Sequence, residues 1–220
     1  MKKHYQPSDS NITIALLTMS GGLQDAYTYI NRGGVLANAQ TGNIVRMGQH
    51  LLDGDPKGFF RFFAPVLAFG FGVFLAEEVH TRVHEDSRLE KSPLHWRQIV
   101  VAIEFALLLI TAFIPHSLDF LANILVSLSC ALQVQAFRKV HGFAYASTMC
   151  IGNMRSGFES LHDYCVTKDR KFLIKSGEYL FMIFVFATGA TLGVYFSRLY
   201  DAFGILLSCI LLAIAFISMI

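Results

Sequence analysis

The sequence predicts an all-α, polytopic membrane bundle of six transmembrane helices, arranged as two inverted three-helix halves with interrupted or re-entrant polar segments. Three observations carry this expectation. Of the 220 residues, 54% are hydrophobic and only 15% charged, where a soluble domain carries about 25% charged residues. Mean hydropathy is +0.48. The apolar residues gather in continuous runs of about the 20 residues that a helix needs to cross a bilayer, without the alternation of a membrane barrel. The 18 basic and 16 acidic residues nearly cancel, so no basic nucleic-acid surface is indicated.

The predicted spans are Asn11–Ile30, Phe59–Glu78, Ile99–Pro115, Leu118–Phe137, Glu178–Ser197 and Ala202–Ile220. The first follows Lys2 and Lys3 and runs without a cleavage site into Ser20-Gly21-Gly22-Leu23-Gln24-Asp25, so it reads as a retained span. Two further segments, Gly33–Leu52 and Gly142–Leu161, are too polar to face lipid and read as loops, half-helices or re-entrant elements. Positive charges decide the topology. With six spans and a cytoplasmic N-terminus, thirteen Lys and Arg residues fall inside and five (Arg32, Arg46, Lys57, Arg61 and Arg198) outside. Counting the polar segments as full spans would erase that bias.

The chain reads as one transmembrane domain, 1–220, dividing into halves at 1–110 and 111–220. In each half a polar Gly-Asn segment follows the first span: Gly42-Asn43 and Gly152-Asn153 lie 110 residues apart. Three spans per half is an odd number, so the second half enters from the opposite side. Inverted repeats with broken helices are a recurrent transporter plan, with the site near the midplane.

The candidate site residues follow from polarity inside this apolar frame. Thr41-Gly42-Asn43 with Arg46 is the densest polar cluster. Glycine exposes backbone amides, Asn and Thr supply donors and acceptors, and Arg supplies a fixed cation, a set suited to a small polar or anionic solute at a helix N-terminus. Asn153 would contribute from the other half, beside Arg155, and helix capping explains both clusters equally simply. Asp25, with Gln135 as its counterpart 110 residues on, and Glu104 are acids within or at the edge of spans. Such acids face cavities or partners and suit proton or cation coupling, or serve as structural glue.

Other features read as structure. Glu77, His80 and His84 share a helix face but look like a solvated helix end rather than a metal site. Cys130, Cys150, Cys165 and Cys209 lack metal or redox spacing. Gly189-Ala190-Thr191-Leu192-Gly193 suits close helix packing within the bundle or in a homodimer. The Phe59, Phe60, Phe62 and Phe63 cluster is expected to face lipid, with Trp96 as an interfacial anchor. No phosphate-binding loop, nucleophile elbow or zinc motif is present, so neither a cofactor, a catalytic set nor an enzyme is expected.

The stretch Ser20-Gly21-Gly22-Leu23-Gln24-Asp25-Ala26-Tyr27-Thr28-Tyr29, followed by Gln40-Thr41-Gly42-Asn43-Ile44-Val45-Arg46-Met47-Gly48, resembles the YoaK family of small bacterial multi-spanning membrane proteins. The resemblance implies a bacterial inner-membrane protein and names no substrate. The second Gly-Asn departs from the family pattern, with Ile151 where Thr is usual. The function expected is a small secondary transporter or permease for a polar or anionic solute. The alternative from another class is a non-transporting scaffold or sensor that binds partners through the cytoplasmic 80–97 loop.

Overall fold

The computed structural model describes residues 10–85, 95–140, 143–144 and 150–219. It is helical throughout, apart from a two-residue antiparallel pairing of Lys139–Val140 with Phe143–Ala144. The helices are α1 Asn11–Asn31, α2 Gln40–Leu52, α3 Pro56–Glu85, α4 Trp96–Ala112, α5 Asp119–Ala136, α6 Cys150–Thr167, α7 Arg170–Tyr200 and α8 Leu206–Ser218. Each of the six apolar runs has become a helix, and the two polar segments have become the helices α2, of 13 residues, and α6, of 18.

Local chemistry sets the ends. Ser10 caps α1 by accepting the Thr13 amide at 3.1 Å. Asp55 accepts the Gly58 amide at 3.0 Å ahead of Pro56, which occupies the first turn of α3 where its missing N–H costs nothing. That amide, with His50 at 3.0 Å, holds the Asp55 carboxyl below its ordinary range. His95 and Gln98 form a reciprocal capping box at α4. Asp169 caps α7, which ends at Asp201, where φ is +51° and the chain turns through a short 3-10 segment into α8.

Among the described residues, three stretches are long and apolar enough to cross a membrane: Pro56–Val83, His116–Ala136 and Arg170–Ser218. The last contains both α7 and α8, which the turn at Asp201 separates. Exposed Leu67, Phe71, Phe74, Phe181 and Phe184 give α3 and α7 the greasy outer surface expected in lipid. The remaining helices carry polar residues inward. Thr13, Thr18, Ser20, Gln24, Asp25 and Thr28 of α1 are all buried, as is Glu104 of α4. In α1 that polar load lowers the hydropathy of the helix, whereas α4 is strongly apolar but only 17 residues long.

The hub is α1. It packs closely on α7 and also against α8, while α5 packs on α3 and α4. The α1–α7 crossing is a glycine contact. A Cβ at Gly189 would fall on the Met19 carbonyl, one at Gly193 would lie 2.8 Å from the Leu23 carbonyl oxygen, and one at Gly22 would fall on the Phe186 carbonyl. The small-residue pattern at 189–193 is therefore used inside the bundle. On the other side, Gly72 of α3 meets Ala131 and the Leu128 carbonyl of α5 in the same manner.

One expectation needs correction. Phe62 does not face lipid: it is 2% exposed, stacked under His50 with ring centroids 5.5 Å apart. Phe60, at 55% exposure, does face outward. Helical periodicity separates two residues only two apart in sequence. Trp96 opens α4 and meets the His80 ring at 4.6 Å.

Candidate functional site

The site begins where α1 ends. Gly33 and Gly34 have φ of +80° and +78°, a conformation that costs glycine little and other residues much. They turn the chain back along α1. The Asn38 side chain then donates to the Gly21 carbonyl at 3.1 Å, near the middle of α1. Eleven residues of helix separate Gly21 from Arg32, so the chain has returned by about 16 Å. The N-terminus of α2 therefore starts beside the middle of α1, and α2 packs on α3 as it climbs back to the turn at Asp55.

Asp25 receives this returning segment. It is 7% exposed, and its Oδ1 accepts the Asn38 amide at 2.7 Å, with the Ala37 and Ala39 amides beside it. These amides lead into the N-terminus of α2, the partially positive end of the helix. Cys150, the first residue of α6, lies within electrostatic range of the same carboxylate. The start of α2 thus meets the buried acid directly, and α6 begins within electrostatic range of it.

A continuous polar chain leads away from Asp25. The side chains of Asn38 and Asp25 both lie near Cys130 on α5. The Cys130 thiol donates to Gln24 Oε1 at 2.9 Å, and Gln24 Nε2 donates to Glu104 Oε1 and to Ser20 Oγ, both at 3.0 Å. Glu104 is fully buried. Ser129 lies beside its carboxyl, but Glu104 Oε2 completes no hydrogen bond of good geometry among the described residues, and neither does Asn38 Oδ1. Buried polar atoms of this kind are costly and mark places where a proton, water or ligand group is accommodated.

The sequence-derived residues divide in their placement. Asp25 and Glu104 lie at the two ends of the polar chain. Asn43 is buried, and its amide is engaged with its own loop: Oδ1 accepts the Leu36 amide at 3.1 Å, while Nδ2 donates to the Leu36 carbonyl at 2.7 Å and to Gln40 Oε1 at 2.9 Å. It thereby fixes where α2 begins. Thr41 is exposed and Gly42 half-buried. Arg46 is exposed, with its guanidinium over Phe62 at 5.5 Å and Tyr29 at 5.9 Å, and so stands apart from Asp25. Asn153 is buried on the inner face of α6 with Gly157 and Ser160. Gln135 donates instead to Glu77.

Sequence reasoning missed Gln24, Asn38 and Cys130, which link the two acids. It also read Arg32 as a loop charge. Arg32 is fully buried and tied on every side. Nε donates to the Tyr27 hydroxyl at 2.8 Å, Nη1 to Asp119 Oδ1 at 2.7 Å, and Nη2 to the Ile114 carbonyl at 2.9 Å. His116 joins Asp119 (3.2 Å) to Asp201 (2.8 Å). The ends of α1, α4, α5 and α7 are thus laced together. No group of three potential metal ligands occurs among the described residues, although the His84 side chain lies outside them.

A family model described as "Protein of unknown function (DUF1275)" matches residues 13–218, which takes in every helix except the first two residues of α1. The chain belongs to that family, in agreement with its resemblance to YoaK. Comparison with curated proteins and with solved structures finds no match.

Proposed function

Taking that membership as the premise, we propose that the protein is a small secondary transporter for a polar or anionic solute rather than an enzyme, with Asp25 at its centre. It would lie in the bacterial inner membrane with its N-terminus in the cytoplasm. The helices α1, α3, α4, α5, α7 and α8, which carry the six apolar runs, would span, while the polar helices α2 and α6 enter from opposite sides. Packing supports two inverted halves. Exchanging α1–α4 with α5–α8 carries the α1–α7 contact onto α5–α3, α2–α3 onto α6–α7, and α1–α8 onto α5–α4; the α4–α8 contact maps onto itself.

The observation that carries the reading is a buried carboxylate set on the amides at the start of α2, with the first residue of α6 in its electrostatic range. Helix N-termini attract anions, and here Asp25 occupies the place a solute anion would take. Protonation of Asp25 removes the competing charge and leaves the amides near Asn38 and Cys150 to a solute. Loss of the proton expels it. Solute and proton then travel together. Gln24 and Glu104 give the proton a second buried station. Asn43 and Asn153 position the two helix starts, and Thr41, Gly42 and Arg46 lie on the approach from outside.

The test is a panel of carboxylates, phosphates, amino acids and sugars, first by thermal stabilisation of the purified protein, where a ligand of the folded state raises stability with concentration, then by flux into liposomes. Asp25→Asn is expected to lower proton-driven flux at least tenfold while leaving the melting temperature within a few degrees. Unchanged flux in that variant would remove Asp25 from the mechanism. Absence of flux for every solute would favour the scaffold reading through the 80–97 loop, of which residues 86–94 lie outside the described set.

A further inference from the structure

Away from the Asp25 region, a polar cavity of about 270 Å³ opens at the end of the bundle where α1 stops and α3 and α5 start. It is lined by Arg32, Lys57, Arg61, His116, Asp119 and the buried Asn123, among others. Asp119 is the one carboxylate in that lining, and it is already taken: the same oxygen receives Arg32 at 2.7 Å and His116 at 3.2 Å. His116 also holds Asp201 at 2.8 Å. Lys57 and Arg61 are exposed, and their side chains make no ion pair or hydrogen bond among the described residues. Arg61 lies along Gly33, where no side chain intervenes.

From this cavity and its two uncompensated cations, we infer a binding site for a small oxyanion, a phosphate or carboxylate group held by Lys57 and Arg61. An Arg guanidinium matches such a group with two parallel hydrogen bonds, and Lys adds a point charge. Asn123 supplies a further contact. Its Nδ2 donates to the Arg32 carbonyl at 2.8 Å, which fixes the orientation of the amide and leaves Oδ1 without a hydrogen bond. A ligand carrying a protonated oxygen or a hydroxyl beside its anionic group would use that acceptor.

The anion can come from solution or from a phospholipid headgroup, since the half-exposed Phe120 also lines the cavity. The inference does not depend on transport. The full-length protein in neutral detergent is titrated with inorganic phosphate and, separately, with phosphatidylglycerol against phosphatidylcholine in mixed micelles. Sodium chloride holds the ionic strength constant, and melting temperature is the readout.

A rise with phosphate identifies a free oxyanion, and a rise confined to phosphatidylglycerol identifies a headgroup. In either case Lys57→Gln/Arg61→Gln is expected to raise the half-saturating concentration at least tenfold, because both side chains are exposed and expendable for folding. Asp25→Asn is expected to keep the response, which separates this site from the proposed transport centre. No rise with either ligand, or an equal rise in the double variant, overturns the assignment.

Discussion

Replacing Arg32 with alanine is expected to cost about 3–5 kcal/mol of stability, the usual consequence of removing one partner from a buried, hydrogen-bonded ion pair. The side chain is wholly buried and engages Tyr27, Asp119 and the Ile114 carbonyl. Its loss leaves Asp119 without its main counter-charge and the Ile114 carbonyl, just beyond α4, without this donor. The backbone contributions of Arg32 survive: its amide still closes α1 on the Thr28 carbonyl, and its carbonyl still accepts Asn123. Asp119→Asn keeps an acceptor in place and is expected to cost less, about 1–2 kcal/mol, in the range of a charged hydrogen bond reduced to a neutral one. Equilibrium unfolding of both variants in mixed detergent measures the difference. A loss below about 1 kcal/mol for Arg32→Ala would show that the network at this end does not hold the helices together.

The second large effect is expected at the α1–α7 crossing. Gly189→Leu places a side chain where the Met19 carbonyl now lies. The obstacle is backbone, so no rotamer relieves it and the helices must separate. Overpacking of this kind costs about 3 kcal/mol or more at a tight contact. Gly177→Ala is the matched control on the same helix. A Cβ there meets nothing within 4 Å, and replacing an open helical glycine is expected to be neutral or to stabilise by up to about 1 kcal/mol. The melting temperature should fall in Gly189→Leu and hold or rise in Gly177→Ala. A similar small change in both would contradict close packing at Gly189.

Much of the architecture was legible because the bilayer constrains it so strongly. Runs such as Phe59–Glu78 and Leu118–Phe137 can only be helices if they cross hydrocarbon, and they are. The polar segments around Asn43 and Asn153 were recognisable as unlike the apolar runs, and both proved to be helices. The mechanics inside them were not legible. Asn43, in the densest polar cluster, reads in sequence as a ligand to solute, yet its amide is spent on Leu36 and Gln40. A local amide clip and a ligand-binding amide have the same sequence signature.

Arg32 shows a different limit. Charge counting treats it as one more loop cation, because the carbonyls and the aspartate that bury it come from α4 and α5, about 80 residues away or more. The Gln24–Cys130–Glu104 linkage is equally non-local. The structure also changes the comparison between halves. Arg32 and Phe137 close α1 and α5 with the same backbone hydrogen bond, which aligns Asp25 with Cys130 rather than with Gln135. Asn43 and Asn153 keep their 110-residue spacing because extra residues enter the second half around the pairing of Lys139–Val140 with Phe143–Ala144.

The central proposal is that Asp25 and the start of α2 form a solute site open in turn to each side of the membrane. Ala39, exposed beside Asp25, reports on it directly. In a chain whose native cysteines are replaced, with Cys130→Ser retaining the donor to Gln24, Ala39→Cys would be challenged with a membrane-impermeant thiol reagent in right-side-out and in inside-out vesicles. The proposal predicts modification from both faces, slowed by a transported solute. Modification from one face alone, at a rate indifferent to every solute in the panel, would contradict it.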